Sequence, residues 1–440
     1  MVIKSDIPRL AVFPQTAEVN NKGNLAIGGC DTVALAKEYG TPLYVFDETD
    51  LRSRCREYKT EFGKRYPKVI IAYSPKAFTA KAMLKLVAEE GLDLDIVTSG
   101  EMSIARAAGF PMERIHFPGN NKSFDELNMA MKYHIGHIVV DNLQELDMLI
   151  KIAGRKKVKI LIRLNPGVDP HTHKYNTTGI ADSKFGLPRG DWDEAVRTAL
   201  LAKNLGVDGF HFHLGSGLFE VEPYLNAIDA VLKYAAELKK KYNFEIRTLS
   251  IGGGIGVQYL VGKVPPPVAY FAEAIAKKIT GRCRELKLTP PMLIVEPGRK
   301  IAARAGMTLY TVGVIKEIPG IRTYVSTDGG ISDNIRYAMY GEFARQEAVI
   351  ANRVSARNTN KYTIYGKLCE SGDVLIYDIM LPKLKAGDIL AVSGSGAYSI
   401  PMQNNYNSMC RPAIVFVKDG KARLIRRRET VEDLMQRDLD

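Results

Sequence analysis

Ile71-Ala72-Tyr73-Ser74-Pro75-Lys76-Ala77-Phe78 is a short apolar run that closes on a lysine, and just beyond it Ala80, Met83, Leu84, Leu86 and Val87 recur at helical spacing. A continuous apolar run of this length reads as a strand buried on both faces, and the amphipathic stretch behind it as its covering helix. The same unit recurs along the chain. Candidate strands lie at 68–75, 93–98, 114–118, 137–141, 157–164, 207–214, 248–253 and 291–296, with helical periodicity between them. Eight such units predict a (β/α)8, TIM-like barrel, whose reacting groups come from the carboxyl ends of its strands.

After about residue 305 strands follow one another without helices, at 307–317, 320–326, 373–378 and 388–393. Asp419-Gly420 then separates Ala413–Val417 from Ala422–Ile425, a dipeptide suited to a hairpin turn with positive φ at both central residues. The expected class is α/β plus all-β. A barrel occupies 38–304, and residues 1–37 and 305–440 form a second domain, an antiparallel β-sandwich or barrel.

Hydrophobic residues make up 46% of the 440 positions and charged residues 25%, ordinary globular composition that excludes a disordered chain. The first residues lack the apolar core of a signal peptide, and no run approaches the roughly 18 apolar residues that span a bilayer, so a soluble, cytoplasmic protein without membrane contact is expected. Five scattered cysteines without a C-x-x-C pair indicate reduced thiols, with neither a disulfide framework nor a structural zinc site. The net charge of +12 is spread along amphipathic stretches and interleaved with acids. That pattern reads as a solvated surface with no nucleic-acid partner, although the positive field favours anionic ligands.

Lys76, His213, Ser216, Gly252-Gly253-Gly254 and Glu296-Pro297-Gly298-Arg299 all fall at the ends of predicted strands. Each alone has an ordinary explanation: a solvated lysine, a core histidine, a tight turn. Placed on one barrel rim they combine a lysine able to form a Schiff base, a glycine turn able to hold a phosphate, and an acid able to face a pyridine nitrogen. That set points to pyridoxal 5'-phosphate, with no metal. Arg299 or the Gly298 backbone would assist at the phosphate, and His213 would stack on the ring. A carboxylate at Glu296 keeps the ring nitrogen protonated and the ring a strong electron sink, which favours decarboxylation over racemisation.

From about residue 24 to 428 the chain resembles the diaminopimelate decarboxylases, fold type III pyridoxal phosphate enzymes akin to ornithine and arginine decarboxylases and alanine racemase. The resemblance rests on Ala34–Val45, the lysine segment, Asn165–Asp169 with His173, Thr178-Gly179, Lys184-Phe185-Gly186, Glu296–Arg299, Cys369-Glu370-Ser371-Gly372-Asp373 and Asn405–Ser408. It implies that Arg299, Arg336 and Tyr340 contact the substrate, that Glu370 meets its distal end, and that Tyr398 touches both cofactor and substrate. Cys369 is implied as the proton donor. The family's site is shared across a homodimer, with Cys369 and Glu370 reaching into the partner's barrel. The reaction implied is loss of carbon dioxide from the D-centre of meso-2,6-diaminopimelate through a Schiff base, giving L-lysine in the last step of lysine biosynthesis.

Phe78, Ser74-Pro75, Tyr337, Gln403 and Asn404 depart from the family's usual residues without removing a reactive group. Two alternatives stand beside this reading. One is a decarboxylase of the same fold acting on ornithine, lysine, arginine or a carboxylated polyamine, which Arg336 and Cys369–Gly372 disfavour. The other is a non-catalytic relative, which Lys76 and the glycine turn disfavour.

Overall fold

The computed structural model describes residues 7–169, 178–180 and 182–439. His173 lies outside them. The chain divides into two compact units, one of residues 54–256 and 265–300, the other of 1–53, 257–264 and 301–440.

Near the N-terminus Glu18–Val19 (β1), Leu25–Ile27 (β2) and Cys30–Asp31 (β3) form a small antiparallel sheet, and Leu43–Asp47 (β4) is wholly buried. The barrel then runs through Val69–Tyr73 (β5), Asp93–Asp95 (β6), Ile115–Phe117 (β7), His137–Val140 (β8), Val158–Arg163 (β9), Leu205–His211 (β10), Thr248–Ser250 (β11) and Met292–Val295 (β12). All eight pair in parallel, and β12 closes against β5 with Leu293 opposite Val69. Each overlaps an expected strand, β10 starting two residues before the expected 207–214 and ending three before its end. Their inward side chains, among them Ala72, Val139, Leu161 and Ile294, fill the barrel as a packed core. Three of its helices begin where a polar cap satisfies one of their first N–H groups. Thr98, Ser123 and Asn142 each accept from the backbone N–H three residues on, and Glu126 completes a capping box with Ser123.

The second unit is built on Gly306–Ile318 (β13), followed by Arg322–Thr327 (β14), Ala348–Ile350 (β15), Asn360–Tyr365 (β16), Val374–Leu381 (β17), Ile389–Val392 (β18), Ala413–Lys418 (β19) and Lys421–Arg426 (β20). Its sheet runs β17-β16-β14-β13-β4-β19-β20, with β18 on β13 and β15 on β18. Most pairings are antiparallel, but β4–β19 and β14–β16 are parallel, so the sheet is mixed. The unit boundary falls at 53/54, against an expected 37/38, because β4 inserts between β13 and β19 and its Leu43 and Val45 share a core with Met307, Leu309, Val415 and Val417. The 257–264 segment joins this unit as well. At the β19–β20 hairpin Asp419 and Gly420 have φ of 50° and 73°, as the sequence demands. No helix among the described residues is long and apolar enough to cross a membrane.

Candidate active site

In the barrel unit the chemistry-bearing side chains stand at or just past the carboxyl ends of the strands. The backbone turns sharply after β5: Ala77 N–H donates to the Ser74 carbonyl, and Ser74 N–H donates to Pro297 O at 3.1 Å. This places Lys76 beside Asp95, the last residue of β6, with Nζ 3.5 Å from Oδ2. The lysine side chain is 39% exposed and the aspartate fully buried. Ser74 Oγ donates to the same Oδ2 at 2.5 Å. Burial, then the charge of Glu296, push the Asp95 carboxyl above its ordinary range, while Lys76 and Ser74 oppose them.

Glu296 follows β12 and is almost entirely buried. His211 Nε2, at the end of β10, lies 3.1 Å from Oε1, and Ser250 Oγ, at the end of β11, donates to the same oxygen at 2.5 Å. Burial alone would raise this carboxyl, but the charge and hydrogen bond of His211, with the Ser250 hydroxyl, outweigh it and hold the group below the usual carboxylate range. Glu296 is therefore a carboxylate at neutral pH.

The glycine turn forms a cradle that side chains would fill. A Cβ on Gly252 would lie 2.5 Å from His213 Nδ1, one on Gly253 2.0 Å from the Glu296 carbonyl oxygen, and one on Gly254 2.1 Å from Gly215 O. Only bare backbone fits. Gly253 N–H donates to His213 Nδ1 at 3.2 Å. Burial, then the charge of Lys76, pull the pKa of His213 well below its ordinary value, so the ring is neutral. The 215–218 loop is tied to the cradle by Gly217 N–H and Leu218 N–H, both donating to Gly254 O. Ser216 Oγ accepts from Arg299 Nε at 2.9 Å, which adds a cation and a hydroxyl to that loop. Gly298 lies against Ser74 and Ala77.

The structure thus brings together Lys76, His213, Ser216, Gly252–Gly254 and Glu296–Arg299. Asp95, His211 and Ser250 are additional members that sequence reasoning did not identify. So is Arg163, buried at the end of β9 with Nη1 3.2 Å from Asp141 Oδ1 and its guanidinium over the Phe185 ring. The available signal was a polar side chain at a strand end, as at Lys76. Phe78, one of the departures, is fully buried, and its carbonyl accepts from Tyr73 Oη at 3.0 Å.

The set accommodates pyridoxal phosphate in this unit. The cradle, Ser216 and Arg299 suit the phosphate, the ionised Glu296 suits a protonated ring nitrogen, the neutral His213 offers a ring face, and Lys76 offers the amine.

In the second unit the remaining expected residues sit on loops that hold one another. Arg336 opens the short helix Arg336–Tyr340, and its side chain is buried. Cys369 and Glu370 are exposed; Cys369 N–H donates to Asn407 Oδ1 at 2.9 Å, and the Cys369 carbonyl accepts from Tyr406 Oη. Asp373 accepts from the N–H groups of Ile331 and Leu368, joining the loop before Arg336 to the loop of Cys369. Tyr398 has φ of 65°, and the adjacent Ser399 donates to Asn334. Tyr337, another departure, stacks on Tyr377 and donates to Glu342.

Residues 48–303 match the family described as "Pyridoxal-dependent decarboxylase, pyridoxal binding domain". The chain is 45% identical to the diaminopimelate decarboxylase of Bacillus subtilis over 96% of its own length and 97% of that protein's. It is 44% identical to that of Halalkalibacterium halodurans, covering 97% and 98%. Among solved structures, the M. jannaschii diaminopimelate decarboxylase in complex with L-lysine superposes with a TM-score of 0.90 at 34% identity, over 97% of this chain and 98% of the other.

Proposed function

We propose that this chain, which belongs to the diaminopimelate decarboxylase family of pyridoxal-dependent decarboxylases, removes the carboxylate from the D-centre of meso-2,6-diaminopimelate and releases L-lysine and carbon dioxide. The observation that carries the reading is the barrel-rim arrangement of Lys76 beside Asp95, the ionised Glu296 between His211 and Ser250, and the glycine cradle with Ser216 and Arg299.

Bound there, pyridoxal phosphate supplies an electron-poor ring that receives the electron pair of the breaking carbon–carbon bond. Glu296 holds a proton at the ring nitrogen, and His211 and Ser250 keep Glu296 ionised for that task. His213, neutral, would offer its face to the ring. Arg299, Ser216 and the backbone of the cradle would hold the phosphate, and Pro297 and Gly298 set the turn that carries Arg299. Asp95 orients the Lys76 ammonium and shares its charge.

Substrate contacts are assigned to Arg299, Arg336 and Tyr340, with the arginines at the distal carboxylate and Glu370 at the distal ammonium, and Tyr398 touches both cofactor and substrate; charge-assisted hydrogen bonds supply the selectivity. Cys369 delivers the proton that replaces the lost carboxylate. The active unit is a homodimer, to which each chain contributes the exposed Cys369–Glu370 loop, and the enzyme works in the cytoplasm.

The test is carbon dioxide release and chiral product analysis with meso-diaminopimelate beside L-lysine, L-ornithine and L-arginine, with added pyridoxal phosphate. Turnover of diaminopimelate alone to L-lysine, abolished by Lys76→Ala, is expected. Faster turnover of another amino acid would overturn the distal-pocket assignment, and no turnover of any would overturn the enzymatic reading.

A further inference from the structure

Arg336 is 2% exposed, an unusual position for a guanidinium, whose desolvation must be offset by fixed partners. Two of these partners are in view within its unit. Nη1 donates to the Gly394 carbonyl at 3.2 Å, and Cζ stands 4.5 Å from the centroid of the Tyr259 ring. Tyr259 belongs to the 257–264 segment, five residues after Gly254 in the chain, which joins the unit of Arg336. The ring is itself fixed by Gly394, where φ is 64° and a Cβ would lie 2.8 Å from Tyr259 Cδ1. Gly394 thus touches both members of the pair, accepting from one through its carbonyl and leaving room for the other by lacking a side chain.

We infer that Tyr259 is a positioning residue for Arg336 and thereby a determinant of selectivity for substrates with a distal carboxylate, an inference that rests on the proposed role of Arg336 above. A cation over an aromatic face is bound through its own face, so the in-plane N–H edge stays directed for a carboxylate, which guanidinium recognises edge-on and in bidentate fashion. The ring also limits the rotamers of a long side chain, so less order has to be imposed when the carboxylate arrives. An aliphatic residue at 259 would fill space without orienting the charge.

The test uses the holoenzyme carrying Tyr259→Leu, Tyr259→Phe and Gly394→Ala. It measures kcat and KM for meso-diaminopimelate, inhibition by L-lysine, which keeps the distal carboxylate, and inhibition by cadaverine, which lacks it. For Tyr259→Leu, KM and the L-lysine inhibition constant rise together by about 5- to 30-fold, the range of a desolvated cation–π contact. kcat changes much less, and cadaverine inhibition is unaltered. Tyr259→Phe, which keeps the ring face, restores KM to within about twofold of the parent, while Gly394→Ala, which displaces the ring, follows Tyr259→Leu in direction. Unchanged KM in Tyr259→Leu, an equal loss of cadaverine binding, or a Phe variant as impaired as the Leu variant would each overturn the inference. If the unmodified enzyme binds L-lysine no better than cadaverine, the assignment of Arg336 to a distal carboxylate falls first, and this inference with it.

Discussion

Asp333 is buried three residues before Arg336, with Oδ1 accepting from Gly330 N–H at 2.8 Å and Oδ2 accepting from Tyr310 Oη at 2.5 Å. Burial pushes its carboxyl from 3.8 up to about 7 despite these donors. A carboxyl whose folded value is raised stabilises the fold fully below 3.8, and that contribution is lost as pH rises through about 7. At 1.36 kcal/mol per tenfold the whole span is worth about 4 kcal/mol, of which about 3 kcal/mol falls between pH 5 and pH 8. Asp333→Asn carries no charge at any pH and keeps an acceptor for Gly330. It should cost about 1 kcal/mol at pH 5, where the Tyr310 hydroxyl must reorient, and be the more stable form at pH 8. Denaturant midpoints of both proteins at pH 5, 6, 7 and 8 give the comparison. Taking the difference between variant and parent cancels groups that titrate in common. A difference constant across that range would refute the assignment of an uncharged Asp333 at low pH and with it the reasoning from burial.

Gly253→Ala places a Cβ 2.0 Å from the Glu296 carbonyl oxygen, so pyridoxal phosphate affinity should fall by about tenfold or more, measured by dialysis and cofactor release. Ser250→Ala removes a hydrogen bond to the charged form of Glu296 and raises that pKa, but His211 still holds the group ionised; kcat/KM should fall by no more than about tenfold, with its pH profile unmoved between about pH 5 and 8. His137 on β8 is held below 6.5 by burial, against the pull of its Oδ2 partner Asp208 and with the help of His116 and Lys159, while Asp93 faces His116 from β6. A histidine kept neutral contributes stability above 6.5 that is lost as pH falls toward its folded value. Thermal unfolding from pH 7.5 to 5 should therefore show a decline that His137→Gln makes shallower.

Much of the architecture was legible because parallel strands buried on both faces tend to be continuous apolar runs, as Val69–Tyr73 and Met292–Val295 are, and because helical periodicity recurs between the strands. The Asp419-Gly420 turn was legible for a local reason, since few other dipeptides tolerate positive φ twice. Lys76, the glycine triplet and Glu296 stood out because their chemistry is unusual at strand ends. Other features depended on chain segments far apart in sequence. Leu43–Asp47 reads as apolar anywhere, yet its place between β13 and β19 was set by strands more than 250 residues away, and it moved the unit boundary. His211, Ser250 and Asp95 read as ordinary polar residues until the barrel closed and brought them to Glu296 and Lys76. Periodicity, a property of neighbours along the chain, determined which segments would be strands and which residues could react. Tertiary structure decided which partners a buried charge meets, such as the Tyr259 ring for Arg336, because desolvation and pairing depend on what the fold packs around a group.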